Sequence, residues 1–354
     1  MKKWKKGMLL AAVILCMAAL TACGKDGDGT KVVFTTGFGK SDVFRIADEI
    51  CKKEELMVYL TTTQNQYEEV YGAEIWDTEH DGVTLEENVK ETVLAKIAQI
   101  KTMYLMALDR EVTLTEQETT QVENAAKEYF NSLNEKEVEL LGVTPDTIRG
   151  LYEEYALAEK VYETIIRDIN PEISDDEARI ITVQHILIKT GNTDSKGNRI
   201  PYSETEKAEA YAKAVEFQAL AAEGSKAFEE LAAQYSEDDT ITYSFGKGEM
   251  AQAFEDAAFQ LETNAISDIV ESEAGYHIIK CISTFNIEQT DANKVKILEQ
   301  RRENAFGQEY DAYVKTLTKQ LNEELWSQIT LIHDSQVTTS DFFDVYSRFF
   351  EEKR

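Results

Sequence analysis

The sequence predicts an α+β fold, in which a small β-sheet with packed helices is inserted between N- and C-terminal α-helical regions. Three observations predict it. From residue 41 to 170 apolar residues recur at helical spacing around a single proline, Pro145. Between Arg179 and Lys189 the period changes, and RIITVQHILIK is rich in the β-branched residues that favour strands. From Glu288 to about Trp326 the spacing returns to that of one long helix, followed by a tail carrying Phe342, Phe343, Tyr346, Phe349 and Phe350.

The first 22 residues read as an export leader. Lys2, Lys3, Lys5 and Lys6 form a cationic start, and Met8 to Leu20 is an apolar run too short for a mature membrane span. The run ends in Leu20-Thr21-Ala22-Cys23, which resembles the bacterial lipobox and implies lipid on the Cys23 thiol. Ordinary signal cleavage, with Cys23 a bystander, is the alternative. Residues 23–40 are then a lipidated tether and β-arm, Gly/Asp-rich up to Thr30 and β-rich over KVVFTTGF, 31–38. Within 41–170, Thr84-x-x-Glu87 and Thr115-x-x-Glu118 have the pattern of capping boxes, and Thr144-Pro145 puts proline at a first turn. These marks predict helices over 85–110, 116–132 and 145–168. Ser174-x-x-Glu177 caps the entry to a unit expected over 171–285. Within it, helices are predicted over 203–222, 226–235 and 251–261, and strands over 179–189, 266–270 and 276–283. Residues 286–354 are expected to pack with the N-terminal helices, forming one chaperone-like domain around the insertion. Whether the aromatic tail closes that domain or stays exposed to hold unfolded segments is open at this point.

Composition narrows the function classes. The formal net charge is −29, and loss of the four leader lysines makes it more negative still. No basic patch is present to neutralise phosphate, so nucleic acid is not an expected partner, and attachment to an anionic membrane would rest on lipid. Of four cysteines, Cys16 leaves with the leader and Cys23 is modified; Cys51 and Cys281 are expected to be buried thiols. The four histidines (His80, His185, His277, His333) make no H-E-x-x-H, so no metal or cofactor is expected.

Three segments carry the chemistry jointly. Val183-Gln184-His185-Ile186-Leu187 puts a histidine in the first strand of the unit. Tyr235-Ser236-Glu237-Asp238 puts a carboxylate past its second helix, and Gly275-Tyr276-His277-Ile278-Ile279-Lys280 puts a second histidine at the start of the last strand. With Phe245-Gly246-Lys247-Gly248-Glu249-Met250, Phe254-Glu255, Ala257 and Phe259, residues 178–284 resemble the parvulin family of peptidyl-prolyl cis/trans isomerases. That family carries H-I-L, an S-x-D turn, F-x-x-G-x-M…F-E-x-A-x-F and G-Y-H-I-I-K in this order. A helical arm and a lipobox ahead of such a domain resemble the PrsA-type foldases of Gram-positive bacteria, related in layout to SurA.

The resemblance implies an isomerase that turns over X-Pro bonds in unfolded or partly folded exported polypeptides, held by lipid at the extracytoplasmic face of the cell membrane. It implies catalytic roles for His185, His277, Asp238 and Ser272, and a proline-binding floor of Met250, Phe254 and Phe259. One segment departs from the family. Where parvulins carry G-G-D-L-G, this chain has Asp239-Thr240-Ile241-Thr242-Tyr243-Ser244, and Thr242 is the nearest equivalent of the leucine that walls the pocket. That departure keeps a rival reading open, a parvulin fold reduced to a holdase chaperone. A solute-binding lipoprotein is a further alternative, against which the long helices count. Phosphate-directed recognition is not expected, because residues 189–200 lack an arginine cluster.

Overall fold

The computed structural model describes residues 37–350, so the leader, Cys23 and most of the arm at 31–38 lie outside the described residues. The chain divides into two units.

The first unit joins residues up to Ile169 with those from Glu303 onward. Its start is a hairpin rather than a helix: β1 (Asp42–Ile46) and β2 (Glu49–Lys52) are antiparallel, and the turn is made by Ala47 at φ 50°. Helices α1 (Lys53–Tyr71), α2 (Leu85–Asp109), α3 (Glu116–Ser132), α4 (Glu135–Leu141) and α5 (Pro145–Ile166) follow, with a short hairpin, β3 (Glu79–His80) and β4 (Val83–Thr84), before α2. Both capping boxes form. Thr84 Oγ1 accepts from Glu87 N–H at 3.2 Å, and Glu87 Oε2 accepts from Thr84 N–H at 3.1 Å. The core lies between these helices. Lys101 is fully buried within it, and Glu154, Glu49 and Glu55 surround its ammonium at 2.9–3.1 Å. Burial alone would lower the Lys101 pKa, but Glu154 and Glu55 outweigh it and hold the ammonium charged.

The second unit runs from Asn170 to Arg302. After one turn of helix, α6 (Asp175–Ala178), it consists of β5 (Ile181–Lys189), a small hairpin β6–β7 (Gly191–Thr193 and Arg199–Pro201), α7 (Glu204–Glu223), α8 (Phe228–Tyr235), β8 (Thr242–Phe245), α9 (Gln252–Gln260), β9 (Val270–Glu271) and β10 (Gly275–Ser283). The sheet order is β8-β5-β10-β9, with its neighbours antiparallel. Strand alternation divides its side chains into two cores. Ile186, Ile188 and Ile278 pack under α7 and α8, while Ile181, Val183 and Ile279 pack with Phe245 and with Phe254 of α9. The strand expected at 266–270 shrinks to Val270–Glu271, because Asn264 turns at φ 71° and Ser267 Oγ takes the Ile279 N–H instead.

The C-terminal region departs from the expected single helix. Helix α10 (Ile287–Val314) stops well short of Trp326, and β11 (Lys319–Leu321) then pairs with β1 to complete a three-stranded sheet, before a one-turn α11 (Glu323–Ser327). The isomerase-like unit also continues past residue 285. Within it, Thr290 Oγ1 accepts the Ile180 N–H, and Asn293 donates to the Ala178 carbonyl. The first part of α10 is therefore part of that unit. In the first unit the aromatic tail forms α12 (Phe342–Phe350), which buries Phe342, Val345 and Tyr346. The Tyr152 hydroxyl donates to the Phe342 carbonyl at 2.7 Å, and the Tyr346 hydroxyl donates to Glu159 at 2.7 Å. On these residues the tail closes the helical core.

Candidate active site

β5 and β10 bring the two histidines to one face. In the antiparallel register His185 faces Ile279 and His277 faces Leu187, so the histidines are diagonal neighbours on the same side of the sheet. Their Nδ1 atoms lie 3.3 Å apart, and the ring planes are nearly parallel at 16°. Both residues are buried, at 2 % and 6 % exposure. Gly275 is needed to start β10: a Cβ there would stand 2.0 Å from the Ile188 carbonyl oxygen.

Asp238 is delivered by the turn after α8. Glu237 N–H bonds the Leu187 carbonyl, and Ser236 Oγ accepts from Leu187 N–H, which ties the turn to β5. One Asp238 oxygen then lies 3.2 Å from His185 Nε2, and the other accepts from Thr240 N–H. Ser272 comes from the turn before β10; its Oγ is 2.7 Å from His277 Nε2 and accepts from Ala274 N–H.

The acceptors fix the tautomers. His185 Nε2 faces the Thr240 carbonyl at 3.1 Å as well as Asp238, and both can only accept, so Nε2 carries the proton. In a neutral ring its Nδ1 is then an acceptor, and His277 Nδ1 must donate to it. His277 Nε2 is left to accept, and the Ser272 hydroxyl supplies the proton. One directional chain therefore runs from Ser272 through His277 and His185 to Asp238.

Electrostatics agree with neutral rings. Burial, then the neighbouring His185, pushes His277 down to about 4. Burial also lowers His185, with Thr240 and Asp238 opposing it. For Asp238 burial acts to raise the pKa, but hydrogen bonds from Thr240, Tyr243 and His185 outweigh it and hold the carboxyl below its ordinary value.

Phe254 packs against both histidine rings. It is 2 % exposed, and its ring meets His277 at 5.1 Å and His185 at 5.5 Å, both edge to face. Met250 packs half-buried on the same cluster, at the end of a loop held by Glu255, which accepts the Gly248 N–H at 2.7 Å. Phe259 is placed otherwise. Its ring neighbours are Phe245 at 5.9 Å and the Arg179 guanidinium at 4.9 Å, so it packs behind Phe245 and not against the histidine pair.

Thr242 does not wall the site. It is exposed, and so is Ser244, whose hydroxyl bonds Thr182 on the other face of the sheet. Tyr243 points inward instead. Its ring meets His185 edge to face at 5.3 Å, and its hydroxyl donates to Asp238 at 3.0 Å. The sequence reading passed over Tyr243, although strand alternation counted back from the inward Phe245 selects it.

Comparison with known proteins adds to this geometry. Residues 185–283 match a family described as Rotamase, PPIC-type PPIASE domain. A foldase protein PrsA of Caldanaerobacter subterraneus is 25% identical over 331 residues, 88% of this chain and 94% of that one. The chain carries a parvulin-type isomerase domain and is PrsA-like as a whole. A peptidyl-prolyl cis-trans isomerase (ESS1) of Saccharomyces cerevisiae is 64% identical over 36 residues, 10% of this chain and 21% of its own. A crystal structure of PrsA from Bacillus cereus, at 22% identity, covers 76% of this chain and 97% of that one, with a TM-score of 0.35. On the matched domain and the PrsA relatives, the protein is a peptidyl-prolyl cis/trans isomerase with the function of a foldase, and its substrates are polypeptides. Among the described residues no helix is long and apolar enough to cross a membrane.

Proposed function

We propose that the foldase turns over X-Pro bonds at the face formed by His185, His277, Asp238 and Ser272, with the proline ring seated on Phe254 and Met250. The observation that carries this reading is the unbroken hydrogen-bond chain from Ser272 to Asp238 above the Phe254 ring.

An X-Pro bond resists rotation by about 18–20 kcal/mol because a planar amide is resonance-stabilised. That resonance puts partial negative charge on the carbonyl oxygen and partial positive charge on nitrogen, and twisting withdraws both. An apolar floor and a carboxylate beside the carbonyl oxygen therefore disfavour the planar amide more than the twisted one, which lowers the barrier. Asp238 supplies the charge, and the histidine chain holds it in place. The scheme makes no bond to the enzyme and moves no proton.

The pH dependence follows. With both rings neutral and Asp238 ionised, kcat/KM on a short Ala-Pro peptide is expected to show no inflection at the ordinary imidazole value of about 6.5, and to fall only at more acid pH. Exchange NMR measures it, and an inflection near pH 6.5 would refute neutral histidines in the mechanism. Stability has the same sign. The folded pKa of His277, about 4, lies below the unfolded value, so the unfolded chain binds the proton first. The contribution is complete above about 6.5 and is lost as pH falls through the folded value.

The same reading places the foldase outside the cytoplasm, anchored through lipid on Cys23. The support is Leu20-Thr21-Ala22-Cys23 behind an apolar leader. Cys23→Ala is expected to abolish incorporation of labelled palmitate and to leave the protein soluble or unprocessed; label still entering the variant overturns the anchor.

A further inference from the structure

Tyr243 stands in the segment where this chain departs from the parvulin pattern, and three observations meet on it. Its hydroxyl donates to the Asp238 oxygen that also faces His185 Nε2. Its ring packs edge to face on His185 and joins the cluster of Phe254, Phe245 and Met250. Its neighbours Thr242 and Ser244 face away, so no other side chain of β8 before Phe245 reaches this side of the sheet.

We propose that Tyr243 is a positioning residue of the isomerase, whose hydroxyl orients the Asp238 carboxylate and whose ring closes the side of the proline pocket that Thr242 leaves open. This rests on the role given above to Asp238. The groups facing that carboxylate are His185 from β5, Tyr243 from β8, and the Thr240 N–H from its own turn. His185 donates from the β5 side as a neutral ring, and Tyr243 is the side-chain donor on the β8 side that both orients the carboxylate and favours its ionised form. Burial, then Asp238 itself, raises the Tyr243 hydroxyl pKa, which keeps it a donor through the neutral range. The ring and the hydroxyl therefore have separable consequences: the ring bears on substrate binding, the hydroxyl on the rate of the bound state.

The test is a pH series of kcat and KM on an unphosphorylated Ala-Ala-Pro-Phe peptide for the full chain and for Y243F, Y243A, D238N and Y243F/D238N. Y243F is expected to lower kcat about 3- to 10-fold with KM unchanged, and to move the acid limb to higher pH, because Asp238 loses a donor to its ionised form. Y243A is expected to raise KM as well, since the wall is gone. On the D238N background the Y243F substitution is expected to have no further effect. If D238N is impaired and Y243F matches the parent at every pH, or loses rate uniformly with no movement of the acid limb, the positioning role is wrong. If D238N itself matches the parent, the reading of the site fails, and the role of Tyr243 with it.

Discussion

His277→Ala is expected to lower kcat/KM by about 10- to 100-fold while leaving the isomerase unit folded. The substitution deletes the only donor to His185 Nδ1 in the tautomer chain and frees the Ser272 hydroxyl. A buried acceptor left without its donor costs about 1–3 kcal/mol. The His185 ring can escape that cost by rotating, and rotation pulls Nε2 from Asp238 and Thr240. The loss should therefore fall on kcat more than on KM, because Phe254 and Met250 remain to seat the proline. Stability should fall as well, since a 6 % exposed side chain leaves a cavity beside Phe254. Near-UV circular dichroism and a thermal melt establish that the variant is folded before turnover is compared. A folded variant with the parent's turnover removes the histidine pair from the mechanism.

Phe342→Ala is expected to destabilise the helical unit by about 3–5 kcal/mol, the range for truncating a fully buried phenylalanine. The ring is 0 % exposed and is enclosed by Tyr152 at 4.4 Å, Tyr129 at 5.1 Å and Tyr59 at 5.2 Å. These three rings come from α5, α3 and α1, so one side chain of the last helix joins three helices of the N-terminal region. For a unit of this size the loss corresponds to a fall in Tm on the order of 10 °C. The contrasting view makes the tail a client-binding surface. It expects little change in Tm and a marked loss in the ability to slow aggregation of a denatured protein. Calorimetry of the full chain separates the two, and a Tm within about 2 °C of the parent sinks the structural role.

Much of the fold was legible because its signals are local. Thr84 with Glu87 and Thr115 with Glu118 announce α2 and α3, since a cap and its partner lie one turn apart. The β-branched run around His185 announces β5, and Gly275-Tyr276-His277 announces β10. The H-I-L, S-x-D and G-Y-H-I-I-K motifs around His185, Asp238 and His277 carried the resemblance to parvulins, and that resemblance implied isomerase chemistry.

Tertiary structure decided what depends on partners far along the chain. Asp42–Ile46 carries no strong strand signal of its own, and its pairing is completed by Lys319–Leu321 at the opposite end of the sequence. The same pairing explains why α10 ends at Val314. Nor can sequence assign a proton to one nitrogen of an imidazole; that follows from the Thr240 carbonyl and Asp238 standing on one side of His185 and His277 on the other. The inward turn of Tyr243 was accessible by strand parity, but its bond to Asp238 required the turn after α8 to meet β8. The sequence alone determined the period of elements such as α2, α3, β5 and β10 and the order of the motif residues, which are set by near neighbours and side-chain chemistry. The tertiary structure decided pairing, protonation and orientation, which are set by groups that become neighbours only when the chain folds.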